Sequence, residues 1–301
     1  MIGTQVAITP LLEIKDPSFN PDKCAEYELM LELGVERFRF FVLESKTKHV
    51  LCLEDYSIGG LPMENKWVVW LKQLYEEHPF LNSNLWKNVS VCFNTPSFTL
   101  IPDVFFRKEY ANSYLGLVQG EVPEGEHLLH HEVRKLGARN VFMVEKEIWE
   151  WFLTTYTQHV PHFIHQTSAL IEGTLSLASV EKARTLLTCY FEDDFVTLTV
   201  AKADKLLFCN KFGYKSASDM GYFVMFVLDS LGLAQENVLC NIYGETTPYS
   251  EDYQLLQKFL PYLQLGKNPT GFLLKEAFED LPEHRYFSLY NVYFATQPPK
   301  K

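Results

Sequence analysis

ERFRFFVLESKTKHVLCLEDYS, Glu36 to Ser57, and DDFVTLTVAKADKLLFCNKFGY, Asp193 to Tyr214, align without a gap. Phe38 with Phe195 and Cys52 with Cys209 are both 157 positions apart, 195 less 38 and 209 less 52. Lys48 meets Lys205, and Val50-Leu51 meet Leu207-Phe208, so turn position and apolar phase coincide, the signature of an internal repeat. Each copy reads as strands joined by short polar turns. An amphipathic helix and a further strand then follow: Trp67 to Tyr75 with Val89 to Phe93, and Met220 to Leu231 with Val238 to Ile242. Trp67, Trp70, Leu71 and Leu74 recur at the spacing of a helix that covers a sheet.

Working outward, 301 residues exceed the size at which one core usually keeps growing, so two lobes are expected. The first is placed at 1–168, with a subdomain inserted at about 96–165, and the second at 169–301. The inserted stretch reads as a strand in TPSFTLIP, a helix over Asp103 to Val118, strands over Leu128 to Lys135 and Asn140 to Val144, and a helix over Glu147 to Thr157. Ser168 to Lys182 reads as a helix leading into the second lobe, whose strands are Thr185 to Phe191, Val196 to Ala201 and Leu206 to Phe212. Ser218 or Asp219 is expected to cap the helix that follows. A helix over Glu251 to Leu260, another near Gly271 to Glu279 and a closing aromatic strand, YFSLYNVYFA, complete the chain. Pro10 to Lys23 is rich in turn formers, so regular strands are expected to begin near Tyr27.

Composition removes several classes of function. A hydrophobic fraction of 47% with 22% charged residues is that of a globular protein. The net charge of −11 disfavours general binding to nucleic acid or to anionic membranes, and the nearest thing to a basic patch is Arg134, Lys135 and Arg139. No apolar run is long enough to span a bilayer, and the start lacks the basic region of a signal peptide. The six cysteines form no CxxC pair and read as buried free thiols of a cytoplasmic protein.

A strand meander, a covering helix and a parallel fourth strand, present once per lobe, resemble the actin-like ATPase (ASKHA, ribonuclease H-like) fold: mixed α/β, with two lobes around a cleft. The segments ITPLLEIKDPSFNPDKCAEYELML, FNTPSFTLIPDVFF and PEHRYFSLYNVYF are similar to an uncharacterised bacterial family of unknown function, itself similar in outline to PilM-type pilus-assembly proteins. That resemblance implies a fold and no activity. In actin-like ATPases an Asp-x-Gly turn in each lobe lets backbone N–H groups approach the phosphates while carboxylates organise Mg²⁺. Here the first turn reads Glu32-Leu33-Gly34, with Glu32 in place of the Asp. The spacing of 157 puts Cys189-Tyr190-Phe191 opposite it, where the carboxylate and the glycine are lost, a ring intrudes, and Glu192-Asp193-Asp194 would repel phosphate. The adenosine-contacting turn is represented by Gly244 in Ile242-Tyr243-Gly244-Glu245.

The expected function is therefore a non-hydrolysing binding or scaffolding role, with no cofactor, a protein partner, and room for a small molecule in the interlobe cleft. The alternative is a weak nucleotide-binding ATPase or kinase, using Glu32 and Gly34 for phosphate, Gly244 near the base, and Mg²⁺ with ATP. Other constellations have plainer readings. His159, His162 and His165 are interrupted by Pro161, and His127, His130 and His131 lack the HExxH pattern, so both read as hydrogen-bonded or exposed histidines. Gly59-Gly60 has no helix start directly behind it. The aromatic clusters Trp149/Trp151/Phe152, Tyr222/Phe223/Phe226 and Tyr286/Phe287/Tyr290 read as core, with an interface as the alternative.

Overall fold

The computed structural model describes residues 8–58, 66–121, 123–192 and 194–298; Gly59-Gly60 lie outside them. Strands β1 (Leu12–Lys15), β2 (Tyr27–Leu33), β3 (Arg37–Glu44) and β4 (Val50–Ser57), helix α1 (Lys66–Glu77) and strand β5 (Asn88–Phe93) open the chain. After them come β6 (Phe98–Pro102), α2 (Ala111–Gln119), β7 (Glu126–Val133), β8 (Ala138–Glu145), α3 (Lys146–Thr155), β9 (His162–His165) and α4 (Gln166–Val180). The remainder is β10 (Thr185–Glu192), β11 (Phe195–Lys202), β12 (Lys205–Gly213), α5 (Ala217–Ser230), β13 (Val238–Gly244), α6 (Glu251–Gln257), β14 (Leu263–Leu265) and α7 (Phe287–Thr296).

Two sheets share one plan. The first has the order β1-β4-β3-β2-β5-β9 and the second β12-β11-β10-β13-β14, so the run β4-β3-β2-β5 has its counterpart in β12-β11-β10-β13. In both, the meander is antiparallel and the fourth strand is parallel to the first. The inserted β6-β8-β7 forms a separate three-stranded sheet.

Side-chain alternation explains why the meander strands are apolar nearly throughout: both faces of the sheet are covered. Leu29, Leu31, Phe38, Phe40 and Val42 face α1, where Phe38 and Trp70 pack edge to face with ring centres 5.5 Å apart. Met30, Phe41, Leu43 and Leu53 lie on the opposite face against Leu289, Tyr290 and Tyr293 of α7. In the second lobe Leu187, Cys189, Phe191, Val196 and Leu198 pack against α5 and α6. Helices α4 and α7 fill the space between the lobes, where Leu170 and Phe287 join Tyr190 and Tyr243 in one cluster. They cross so closely that a Cβ on Gly173 would stand 2.5 Å from Cζ of Phe287.

Several expectations are corrected. YFSLYNVYF is not a closing strand but most of helix α7, in which every residue from Phe287 to Tyr293 is buried. A helix buried on all sides has no polar stripe, so its apolar run carries no period that separates it from a core strand. A strand precedes Tyr27 after all: β1 pairs with β4 and sends Leu12 and Ile14 into the α7 core. The helix expected over Asp103 to Val118 is confined to α2 and a preceding 3-10 turn, and the one near Gly271 to Glu279 is only a 3-10 turn at Glu276–Phe278. Ser216, rather than Ser218 or Asp219, caps α5, accepting from the Asp219 N–H while the Asp219 carboxylate accepts from the Lys215 N–H.

Candidate functional site

Strand register settles which residues face the cleft. Leu33 stands opposite Phe38, and Phe191 opposite Val196, all four on the helix-covered face of their sheet; the counterpart of Leu33 is therefore Phe191, and that of the cleft-facing Glu32, opposite Arg39, is Tyr190, opposite Thr197. The two turns are equal in length: residues 34–37 separate Leu33 from Phe38, and 192–195 separate Phe191 from Val196. The shorter hairpin is β11-β12, where seven residues separate Val200 from Phe208 against nine between Val42 and Cys52, so the offset of 157 matches residues of opposite faces, and the apolar phase expected to coincide does not. Phe191 therefore does not block the cleft. Its ring points into the second lobe's core, 6.3 Å from that of Tyr214, and Tyr190 and Glu192 turn towards the first lobe.

At the centre of the cleft lies Arg39, only 1% exposed. It occupies the face of β3 opposite Phe38 and Phe40, so alternation aims it at the second lobe. Its Nη1 donates to Glu32 at 3.3 Å, to Glu192 at 3.1 Å and to the Tyr190 hydroxyl at 3.4 Å, and Nη2 donates to Glu245 at 2.9 Å. Nε is 3.4 Å from Asp55. Arg37, two residues earlier on the same face, grips Asp55 with two bonds of 3.1 and 2.7 Å and reaches Glu245 at 3.2 Å. Arg285 donates to the other oxygen of Glu245 at 3.1 Å, and the Tyr286 hydroxyl donates to Asp55 at 2.9 Å. Glu32 also accepts from the Ser288 hydroxyl, while Glu192 accepts from Gln166 at 2.9 Å and from Asn94, which in turn accepts from Lys211.

Three guanidiniums and four carboxylates thus meet, with Arg39, Glu32, Asp55 and Glu192 buried and Arg285 and Glu245 at the rim, 33% and 26% exposed. Burial pushes the Glu32 carboxyl up to about 7, and the nearby Glu192 charge adds to the effect, against the pull of Arg39. Burial opposes charge on Arg39 as well, but Tyr190, Glu192, Asp55 and Glu32 hold its pKa well above the ordinary value. A proton on Glu32 leaves three positive and three negative groups, a balance that suits a low-dielectric site.

The three residues singled out from the sequence lie around this network. Glu32 is inside it. Gly34 is at the turn, where a Cβ would stand 3.1 Å from Glu192 Oε1, and its N–H donates to the Arg37 carbonyl at 2.7 Å. Gly34 also borders a cavity of about 300 Å³ shared with Trp67, Asn94, Glu126 and Glu145. Both of those carboxyls have raised pKa values, through burial first and then a neighbouring acid, Glu145 for Glu126 and Glu147 for Glu145. Gly244 ends β13 with φ +87° and its N–H donates to the His284 carbonyl at 2.9 Å. A Cβ there would fall 2.0 Å from the Phe191 carbonyl oxygen, so the glycine serves a close backbone approach. Arg37, Arg39, Asp55, Arg285 and Ser288 went unremarked in the sequence. The available signal was charge at alternate positions in a strand otherwise suited to full burial, R-F-R-F-F.

Two of the histidines noted in the sequence have structural roles. His165 caps α4, its Nδ1 accepting from the Thr167 N–H, and its Nε2 lies 2.9 Å from the Thr95 carbonyl; burial lowers its pKa to about 3. His127 stacks on Trp149, ring centres 3.7 Å apart. Trp151, Phe152, Tyr286, Phe287 and Tyr290 belong to or pack against the cores, whereas Tyr222 and Phe226 are exposed on α5.

Comparison with curated proteins finds no match. Among solved structures, the chain is similar to a Bacteroides thetaiotaomicron protein with actin-like ATPase fold and unknown function, at 18% identity over 91% of this chain and 98% of that one, with a TM-score of 0.75. It is also similar to a chain of a PilM-PilN type IV pilus biogenesis complex, at 13% identity over 90% and 99% of the two chains, with a TM-score of 0.61. These likenesses establish the fold and leave activity open. The family described as a protein of unknown function, DUF3822, matches residues 16–263, and this chain, with its actin-like ATPase fold, belongs to that family.

Proposed function

We propose that this protein is a non-hydrolysing binding or scaffolding module in which internal charges take the place of a bound nucleotide. The observation that carries the reading is the buried Arg39, which joins Glu32 and Asp55 of the first lobe to Glu192 and Glu245 of the second. In a nucleotide-binding relative, phosphate and Mg²⁺ supply the charges between lobes; here guanidinium and carboxylate groups satisfy one another. A triphosphate entering this space would displace Glu192 and Glu245 from Arg39 and leave buried carboxylates unpaired, a cost of several kcal/mol.

A protein partner is the reading we favour for what the module binds, supported by the likeness in fold to a chain solved as a PilM-PilN complex. The inserted sheet and its helices, within 95–165, are the part of the molecule most separate from the two-lobe plan and a natural place for that partner. A cytoplasmic location accords with six free cysteines, five of them buried. No helix among the described residues is long and apolar enough to cross a membrane.

Thermal-shift titration of the full chain with ATP and MgCl₂ tests the central point. No saturable shift is expected up to millimolar nucleotide, whereas binding would raise Tm with concentration. Steady Mg²⁺-dependent ATP hydrolysis that is lost in Glu32→Ala would overturn the reading.

A further inference from the structure

A second cavity, of about 950 Å³, lies away from the Arg39 network, and none of Glu32, Arg39, Glu192 or Glu245 lines it. Its walls come from the end of β7 and the turn after it, from α4, and from the last turn of α7. The volume is at the upper end of the range for small-molecule sites, roughly 300–1,000 Å³. Val133, Tyr293, Phe294 and Ala295 supply an apolar wall.

Three cations and two carboxylates, Glu132 and Glu172, border the cavity, a local excess of positive charge in a strongly acidic chain. Arg134, Lys135 and Lys48 all border the cavity. Lys48 Nζ sits 4.7 Å over the Tyr293 ring and 3.6 Å from Glu28. Arg134 has a loose ion pair, 3.8 Å from Glu132, and donates to the Gln297 carbonyl, which leaves donors of its five-N–H fork for another acceptor. Lys135 is held more tightly, 2.5 Å from Glu172 and 2.8 Å from the Ser176 hydroxyl. His131 lines the same space, and its buried Nδ1 has no hydrogen-bond partner among the described residues. Burial and the neighbouring Arg134 lower its pKa to about 4, so at neutral pH it adds polarity without charge.

We propose that this cavity binds a small amphiphilic carboxylate, its aliphatic or aromatic body against Val133, Tyr293, Phe294 and Ala295 and its acid group at Arg134 and Lys48. The apolar wall provides the affinity by burial and the cations select the head group, a division usual in small-molecule pockets. A ligand here would touch the inserted sheet, α4 and α7 at once and so stiffen the junction of the inserted subdomain with the helices between the lobes. This site is independent of the reading given to the cleft.

The test uses the full chain and three ten-carbon probes below their micellar concentrations: sodium decanoate, decanol and decyltrimethylammonium bromide. Decanoate is expected to raise Tm saturably and to displace 8-anilinonaphthalene-1-sulfonate, and decyltrimethylammonium is not. Ala295→Trp and Ser176→Trp, which fill the cavity from different walls, are expected to abolish that response. Arg134→Gln, at a half-exposed position, is expected to weaken decanoate about tenfold, the worth of roughly one charge-assisted bond, while leaving decanol unchanged. Absence of a decanoate response, an equal response to the cationic probe, or stabilisation by a capped acidic pentapeptide in place of decanoate would overturn the proposal. So would Arg134→Gln binding decanoate as well as the unaltered protein.

Discussion

The two meander turns start from the same strand plan and end with opposite charges. The first lobe's β2-β3 turn has Gly34 and places Arg37 and Arg39 behind it; the second lobe's β10-β11 turn, of the same length, presents Glu192. Facing each other across the cleft, the two are complementary in charge. The difference teaches how one strand plan can carry complementary charge across a cleft: Arg37 and Arg39 of the first lobe meet Glu192 and Glu245 of the second.

The largest effect should come from breaking that complementarity at its centre. Arg39→Met leaves Glu32, Asp55, Glu192 and Glu245 without their shared cation, and a loss of about 3–5 kcal/mol is expected in denaturant unfolding. An unchanged midpoint would show that the two turns merely lie side by side.

Next in size is a contrast between two glycines, one per lobe. Gly244→Ala forces a Cβ against the Phe191 carbonyl at φ +87° and should cost about 3 kcal/mol. Gly34→Ala asks only that the end of the Glu192 side chain give by a few tenths of an ångström, so it should be the mildest change considered, about 1 kcal/mol or less. Equal losses in the two variants would mean that both turns are rigid backbone constraints, against the reading of the first as a side-chain contact.

Between these extremes lies a pH effect. Glu32 titrates at about 7 in the folded protein and near its ordinary 4.5 in the unfolded chain, so between these values the folded state holds the extra proton. Stability from this group therefore rises as pH falls from above 7 towards 4.5 and is lost again as pH climbs through 7. Glu32→Gln should remove that dependence and unfold about 1–3 kcal/mol less readily than the unaltered protein at pH 8, as measured by denaturant titrations from pH 5 to 8.5. A parallel pH dependence in both proteins would place the titrating proton elsewhere.

Much of the fold was legible because it is written in local pattern. The shared spacing of Phe38/Phe195 and Cys52/Cys209 marks two hairpins that do form, Val42 opposite Cys52 and Thr199 opposite Cys209, although the first pair lies under α1 and Cys209 of the second lies on the α4 side, so the apolar phase differs. The stripe Trp67, Trp70, Leu71, Leu74 is the buried face of α1. The candidate site was legible only in outline. Glu32 and Gly34 stand out in a turn motif, but an offset of 157 is one residue out of phase with the strand faces and sets Phe191 opposite Gly34, whereas Phe191 shares the core face with Cys189, away from the cleft.

Alternation of polar and apolar residues, turn chemistry and repeat spacing were enough to specify two sheets, their hairpins and their covering helices, because each depends on neighbours a few positions away. Long-range packing alone decided the rest. Residues 287–296 became a helix, rather than a strand, because sheets from both lobes and α4 enclose them. Arg39 found Glu245, 206 residues along the chain, and Glu32 found Ser288, 256 residues away. A buried charge is tolerable only where partners converge on it, and no local stretch of sequence records which distant groups will do so.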